Sequence, residues 1–196
     1  FYYTGDKTEF DYINVTAGNG RMTANGTLIG DNLRLTFQGQ SLPLERVSSL
    51  AQIPLTGQAD IEGTVSGTLQ HPKAAMALSA RGGRILEQPF DTATGKLLVT
   101  PDMLTLEDVS SKYGPTRHLV NGSIGLTGNQ PVNLAVTTKS ARAETIVNFI
   151  MPGERLTGNV DNELMITGTV ASLNLAGKVK LWDGSFRGQL ISRIEG

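Results

Sequence analysis

The sequence predicts an all-β protein in which one long antiparallel sheet curls into an open groove. Three observations lead there. Apolar and polar residues alternate at a period of two over many short runs, which belongs to half-buried strands. The 23 glycines among 196 residues are spread between apolar runs instead of gathering in a linker, so they read as turns between strands. The chain also repeats itself. LTGQADIEGTVSGT at 55–68 returns as LTGNVDNELMITGT at 156–169, with seven of fourteen positions identical. Chance agreement is about one, since the commonest residues each make up roughly 7–9% of a chain.

The offset between those stretches is 101 residues, and it also pairs Gly57 with Gly158, Gly67 with Gly168 and Gly83 with Gly184. Upstream the offset drifts to 99, 96 and 94, as short insertions in loops require. The repeats are therefore residues 1–84 and 85–184, with 185–196 starting a third, all within one continuous groove. Tandem repetition favours a trough extended unit by unit over a closed sandwich or barrel. Each unit holds about six or seven strands and one short helix.

The elements follow in order. FDYINV at 10–15 and its match LTLEDV at 104–109 each slip phase by one residue, which predicts a β-bulge in DYINV and TLEDV. Asn25-Gly26 and Asn121-Gly122 read as turn or bulge positions. LRLTFQ at 33–38 puts Leu33, Leu35 and Phe37 on one face. SLPLERVSSLA at 41–51 breaks the period, spacing Leu44, Val47 and Leu50 by three; SARAETIVNFI at 140–150 does the same with Ala143, Ile146 and Phe149. Both predict short helices, with Ser41 and Ser140 as N-caps and Pro43 in a first turn. ADIEGTVSG at 59–67 and KAAMALSA at 73–80 resume the alternation, and KVKLW at 178–182 closes the second copy. Asn162 interrupts the apolar face where its counterpart is Ile61, and is expected at a strand end or in a bulge. Trp182, the sole tryptophan, is expected beside a turn at the groove's edge.

Composition narrows the function. Net charge is −1 and the pI about 6.2, so no basic patch suggests nucleic acid. There is no cysteine, which excludes a disulfide framework and a thiolate metal site. No apolar run approaches the ~20 residues that span a bilayer. The first residue is not Met and the last segment is cut off, so the chain reads as a piece of a longer protein whose targeting signal lies elsewhere. His71, in the turn QHPK, and His118, in a strand, share no metal spacing and are read as structural. Carboxylates such as Glu107 and Asp108 could in principle serve a glycosidase, but adjacent strand residues point to opposite faces, so they are read as solvated. There is no nucleophile elbow, Walker loop or dinucleotide fingerprint. The Asn14, Asn25 and Asn121 sequons are read as strand and turn residues. No enzyme, cofactor or metal is expected.

The segments LTGQADIEGTVSGTLQHPKAAMAL and LTGNVDNELMITGTVASLNLAGKVKLWDGSF, with LTLEDVSSKYG and NGSIGLTG upstream, resemble the TamB and AsmA-like family. The resemblance covers nearly the whole chain and rests on rhythm more than on invariant residues. It implies a curled β-sheet, taco-shaped in section, in a periplasmic protein of a diderm bacterium anchored in the inner membrane by a helix outside this chain. The implied role is carriage of phospholipid to the outer membrane, in support of outer-membrane biogenesis. The implied partner, through the full-length protein, is a BamA-family barrel of the TamA type. The groove lining is then Leu33, Leu35, Phe37, Ile61, Val65, Met76, Leu78, Leu97, Val99, Leu104, Leu106, Val120, Ile124, Leu134, Val136, Leu164, Ile166, Leu175, Val179 and Leu181. Two alternatives stand beside it: a groove that chaperones or helps insert outer-membrane barrels by edge pairing, and a structural secreted β-solenoid with a closed core. Exposed sheet edges also predict end-to-end self-association of the isolated chain.

Overall fold

In the computed structural model thirteen strands form one antiparallel sheet, each paired with its neighbours in sequence. The structure describes residues 2–4, 6–46, 54–85, 88–144 and 155–196. The strands of the first half are β1 (Tyr2–Thr4), β2 (Lys7–Ala17), β3 (Gly20–Ile29), β4 (Asn32–Pro43), β5 (Leu55–Thr68) and β6 (Pro72–Ile85). Those of the second are β7 (Gln88–Val99), β8 (Met103–Tyr113), β9 (Thr116–Gly125), β10 (Pro131–Arg142), β11 (Leu156–Thr169), β12 (Ser172–Phe186) and β13 (Gln189–Glu195). β1 and β13 do not pair, so the sheet is open and runs ~58 Å across twelve spacings of ~4.8 Å.

Most of these strands are ten to fifteen residues long, about twice the common length, and they are bent by bulges. Register shifts fall between Phe10 and Ile13 in β2 and between Leu106 and Val109 in β8, where the sequence rhythm slips. Other shifts recur at matching places in both repeats. One pair lies between Gly39 and Leu42 in β4 and between Thr138 and Ala141 in β10. There Ser41 and Ser140 adopt left-handed backbone, φ 50° and 54°. Each donates its N–H, at 2.8 Å, to an aspartate of the next strand, Asp60 or Asp161. The carboxylate satisfies an amide that the bulge has removed from the ladder. A second pair lies at Gly57 and Gly158, whose strands pass so close to Gly83 and Gly184 that a Cβ on Gly83 would meet the Thr56 carbonyl oxygen at 1.9 Å.

These positions correct the sequence reading. Ser41 and Ser140 are bulge residues inside strands, not helix N-caps, and Pro43 is the last residue of β4, not part of a helix. Helical backbone begins at 44–46 and 143–144; Val47, Leu50, Ile146 and Phe149 lie outside the described residues. Of the two readings of Asn25-Gly26 and Asn121-Gly122, turn or bulge, the bulge holds: both pairs lie within strands, β3 and β9, opposite the register shifts of β2 and β8. Asn121 Oδ1 accepts the N–H of Asp108, the left-handed bulge residue of β8, at 2.7 Å. Trp182 lies within β12, next to the bulge at Asp183, with Lys180 Nζ 5.7 Å from its ring centre. Asn162 is neither at a strand end nor in a bulge; it sits mid-strand in β11, opposite Thr138 and Val179.

Two small cores occupy equivalent places. Leu44 packs with Ala59, Ala80, Phe90 and Ala93; Ala143 packs with Ala141, Val160, Leu181 and the partly buried Ile191. At the matched positions Leu44, Ala59, Ala80 and Phe90 become Ala143, Val160, Leu181 and Ile191. Bulk lost at one position returns at another, as close packing demands.

The bulge clasp is testable by thermal melts. Asp60→Ala and Asp161→Ala should each lower stability by about 1 kcal/mol, or a few degrees in Tm, and the double variant by about their sum. Unchanged melts would show that the clasps contribute nothing.

Candidate functional site: a continuous apolar face

Strand register carries the apolar pattern across the sheet, because directly paired residues share a face. One cross-strand row runs Leu35, Val65, Ala74, Val99, Leu104, Ile124, Val132. The next runs Phe37, Gly63, Met76, Leu97, Leu106, Gly122, Leu134, Ile166, Leu175. Ile61 and Leu78 form a third row in the first repeat, and Val120, Val136 and Leu164 in the second. Leu33 sits in line with Gly67, Val179 with Asn162, and Leu181 with Val160. The register thus brings all twenty residues expected in the lining onto one face.

Most of these side chains are half-buried although no second sheet packs on them. Phe37 and Val132 are only 9% and 7% exposed. Leu175 and Val179, near the C-terminal edge, are 48% and 43% exposed. Burial without a covering sheet requires the sheet to bend toward this face, and the bulges supply the bend. The sequence list missed Ala59, Ala80 and Ala93, which are small but in phase. It also missed Val109 and Ala141, which follow bulges and so fall out of simple alternation.

The opposite face is mainly polar, with Leu98, Leu119 and Met165 exposed among its polar residues, and its charges pair across strands. Asp60 pairs with Arg81; Lys139 lies 3.6 Å from Asp161 and 3.8 Å from Glu163. Such exposed pairs add little stability each. Surface depressions of about 500 and 620 Å³ lie between the long side chains of this face, one over Ala75 and Ala77 and one among Lys139, Glu163, Lys178 and Glu195. They are open and carry compensating charges, unlike an enclosed small-molecule site with a few convergent polar groups. Among the described residues no cluster of His, Asp and Glu could hold a metal ion, and no helix is long and apolar enough to cross a membrane.

Polar side chains do enter the apolar face along one line. Ser111, His118, Thr138 and Asn162 pair successively from β8 to β11. His118 Nδ1 and Thr138 Oγ1 are hydrogen-bonded at 3.0 Å. Thr138 and Asn162 are 3% and 5% exposed, and Asn162 Oδ1 is buried with no partner. His71, by contrast, is exposed in the β5–β6 turn, its N–H bonded to Thr68.

An open, antiparallel sheet with one continuous apolar face and one charged face defines a β-groove. Within that class, the chain is similar to protein TIC236, chloroplastic, of Arabidopsis thaliana, at 28% identity over 140 residues. The aligned part is 66% of this chain and 6% of that protein, so the chain spans a small fraction of the relative's length. No family model matches the sequence and no solved structure matches the fold.

Burial lowers the His118 imidazole below its ordinary value. The neutral ring is favoured in the folded state and the unfolded chain takes up the proton first. Stability present above pH ~6.5 should therefore fall as the pH drops below it toward the folded-state value. The Tm loss between pH 7.5 and 5.5 should be smaller in His118→Gln than in the parent. An equal loss in both would contradict this.

Proposed function

We propose that this chain is a stretch of a lipid-carrying β-groove, part of a longer bridge-like protein that moves phospholipid between two membranes. The observation that carries the reading is the continuity of the apolar face across the strands. Its central row crosses nine strands, from Phe37 in β4 to Leu175 in β12, without one polar side chain. Each acyl CH₂ moved into water costs about 0.8 kcal/mol, so two chains of ordinary length cost upwards of ~20 kcal/mol. An apolar floor removes most of that cost while the headgroup stays in water at the open side. Carriage breaks no bond, so the proposal needs no catalytic residue and no cofactor.

The similarity to TIC236, a chloroplast protein of the TamB and AsmA-like bridge family, supports the same reading. The proposed setting is the periplasm of a diderm bacterium. There the full-length protein is held in the inner membrane and works with a BamA-family outer-membrane barrel.

Native mass spectrometry of the protein purified from cells, with lipid extraction alongside, tests the proposal. The parent should carry co-purified phospholipid. Replacing Leu35, Ile61 and Leu134 by Asp or Asn, in a variant whose circular dichroism stays β-sheet, should cut that lipid by about tenfold or more. A lipid-free parent that also takes up no fluorescent phospholipid would overturn it and favour a closed structural core.

A further inference from the structure

The polar line across the second repeat is a departure from the first. In the first repeat the equivalent cross-strand row is Val15, Met22, Gly39, Ile61. In the second it is Ser111, His118, Thr138, Asn162. Every position has changed to a group that forms hydrogen bonds, over four adjacent strands, a span of about 14 Å. Its flanks remain apolar: Val120, Val136 and Leu164 on one side, Ala141 and Val160 on the other.

Buried polar groups are normally satisfied within the protein, and each exception needs a reason. Here the sole side-chain bond among the four is His118 to Thr138. Ser111 and the Asn162 amide make none among the described residues, and Asn162 Oδ1 is screened from water. The basic residues next to these positions, Lys112, Arg117 and Lys139, follow or precede them by one and face the other way. The line therefore carries no fixed charge, and the groups in it that can donate to a ligand acceptor are the Ser111 hydroxyl, the second ring nitrogen of His118 and the Asn162 NH2, whereas Asn162 Oδ1 is itself an acceptor.

We propose that this line is a subsite for the uncharged polar waist of a diacyl lipid, its ester carbonyls, set into a face that otherwise contacts only hydrocarbon. The inference rests on the lipid-carrying reading above. A lipid is held at a set position in the second repeat, while the first repeat offers only the apolar floor. A phosphate is not the ligand of this line, because nothing in it neutralises one.

The test uses three fluorescent probes: a diacyl phosphatidylcholine, its dialkyl-ether counterpart with the same chains and headgroup, and a pyrene-labelled alkane. The parent should bind the diacyl lipid about tenfold more tightly than the ether lipid, the worth of one or two hydrogen bonds. The variant S111V/H118M/N162I installs three of the four first-repeat residues and leaves Thr138 in place. It should lose that preference and keep its affinity for the alkane. Asn162→Ile and His118→Met, measured singly, should each reduce the preference by about threefold, and they stand as the test if the triple variant does not fold. Equal binding of ester and ether lipids by the parent, or a preference that survives the substitutions, overturns the subsite and leaves the groove intact. A parent that binds none of the probes overturns the groove and the subsite together.

Discussion

A sheet that is greasy on one side and has no second layer must hide that side by its own curvature. That constraint organises the chain. A flat sheet of thirteen strands would leave a patch of Leu, Val and Ile far larger than soluble surfaces tolerate. Closing the sheet into a barrel would hide the patch but leave nothing open. The structure takes the intermediate course. Long strands are bent by an extra residue at set levels, and the apolar face curls inward until residues such as Phe37 are 9% exposed. The bulges in turn create amides without ladder partners, and Asp60, Asp161 and Asn121 accept them from neighbouring strands. The polar devices of the sheet therefore serve the shape of its apolar face.

Repetition lets this solution be lengthened without redesign. Each unit brings its serine bulge, its aspartate clasp, its facing glycines and a small core at the start of a helix. What each unit does with the remaining positions is free to vary. The small core exchanges bulk among four sites and keeps its place. The row from Val15 to Ile61 keeps its place too, but its counterpart from Ser111 to Asn162 has exchanged apolar groups for hydrogen-bonding ones. A conduit assembled from such units has uniform walls and local stations, and the stations are visible only when the units are compared in register.

The alternation of Leu33, Leu35 and Phe37, the duplication of LTG…GT and the slipped rhythm of DYINV and TLEDV were enough to read the strands, the repeat and two of the bulges. These features are local, and a strand's period of two is the strongest local signal a sequence carries. What escaped depended on partners far along the chain. Ser41, followed by apolar residues three apart, looks like a helix cap; its true partner is an aspartate nineteen residues away. Asn121-Gly122 reads as a turn or a bulge, and only the pairing with β8 and its bulge at Asp108 decides between them. Asn162 looked like an isolated break, and Ser111, His118 and Thr138 gave no sign of aligning with it. Only the register of four strands puts them in one line.

The central claim is that one face, and not the other, meets lipid hydrocarbon. The chain has no cysteine, so single cysteines can be placed along β10 and labelled with a small fluorophore. Lipids carrying a nitroxide on the acyl chain would then be added. The account predicts strong quenching at Leu134 and Val136 and little at Asn133 and Ala135, a period of two in phase with the apolar rows. Quenching on the polar face, or none above background at any position, would contradict it.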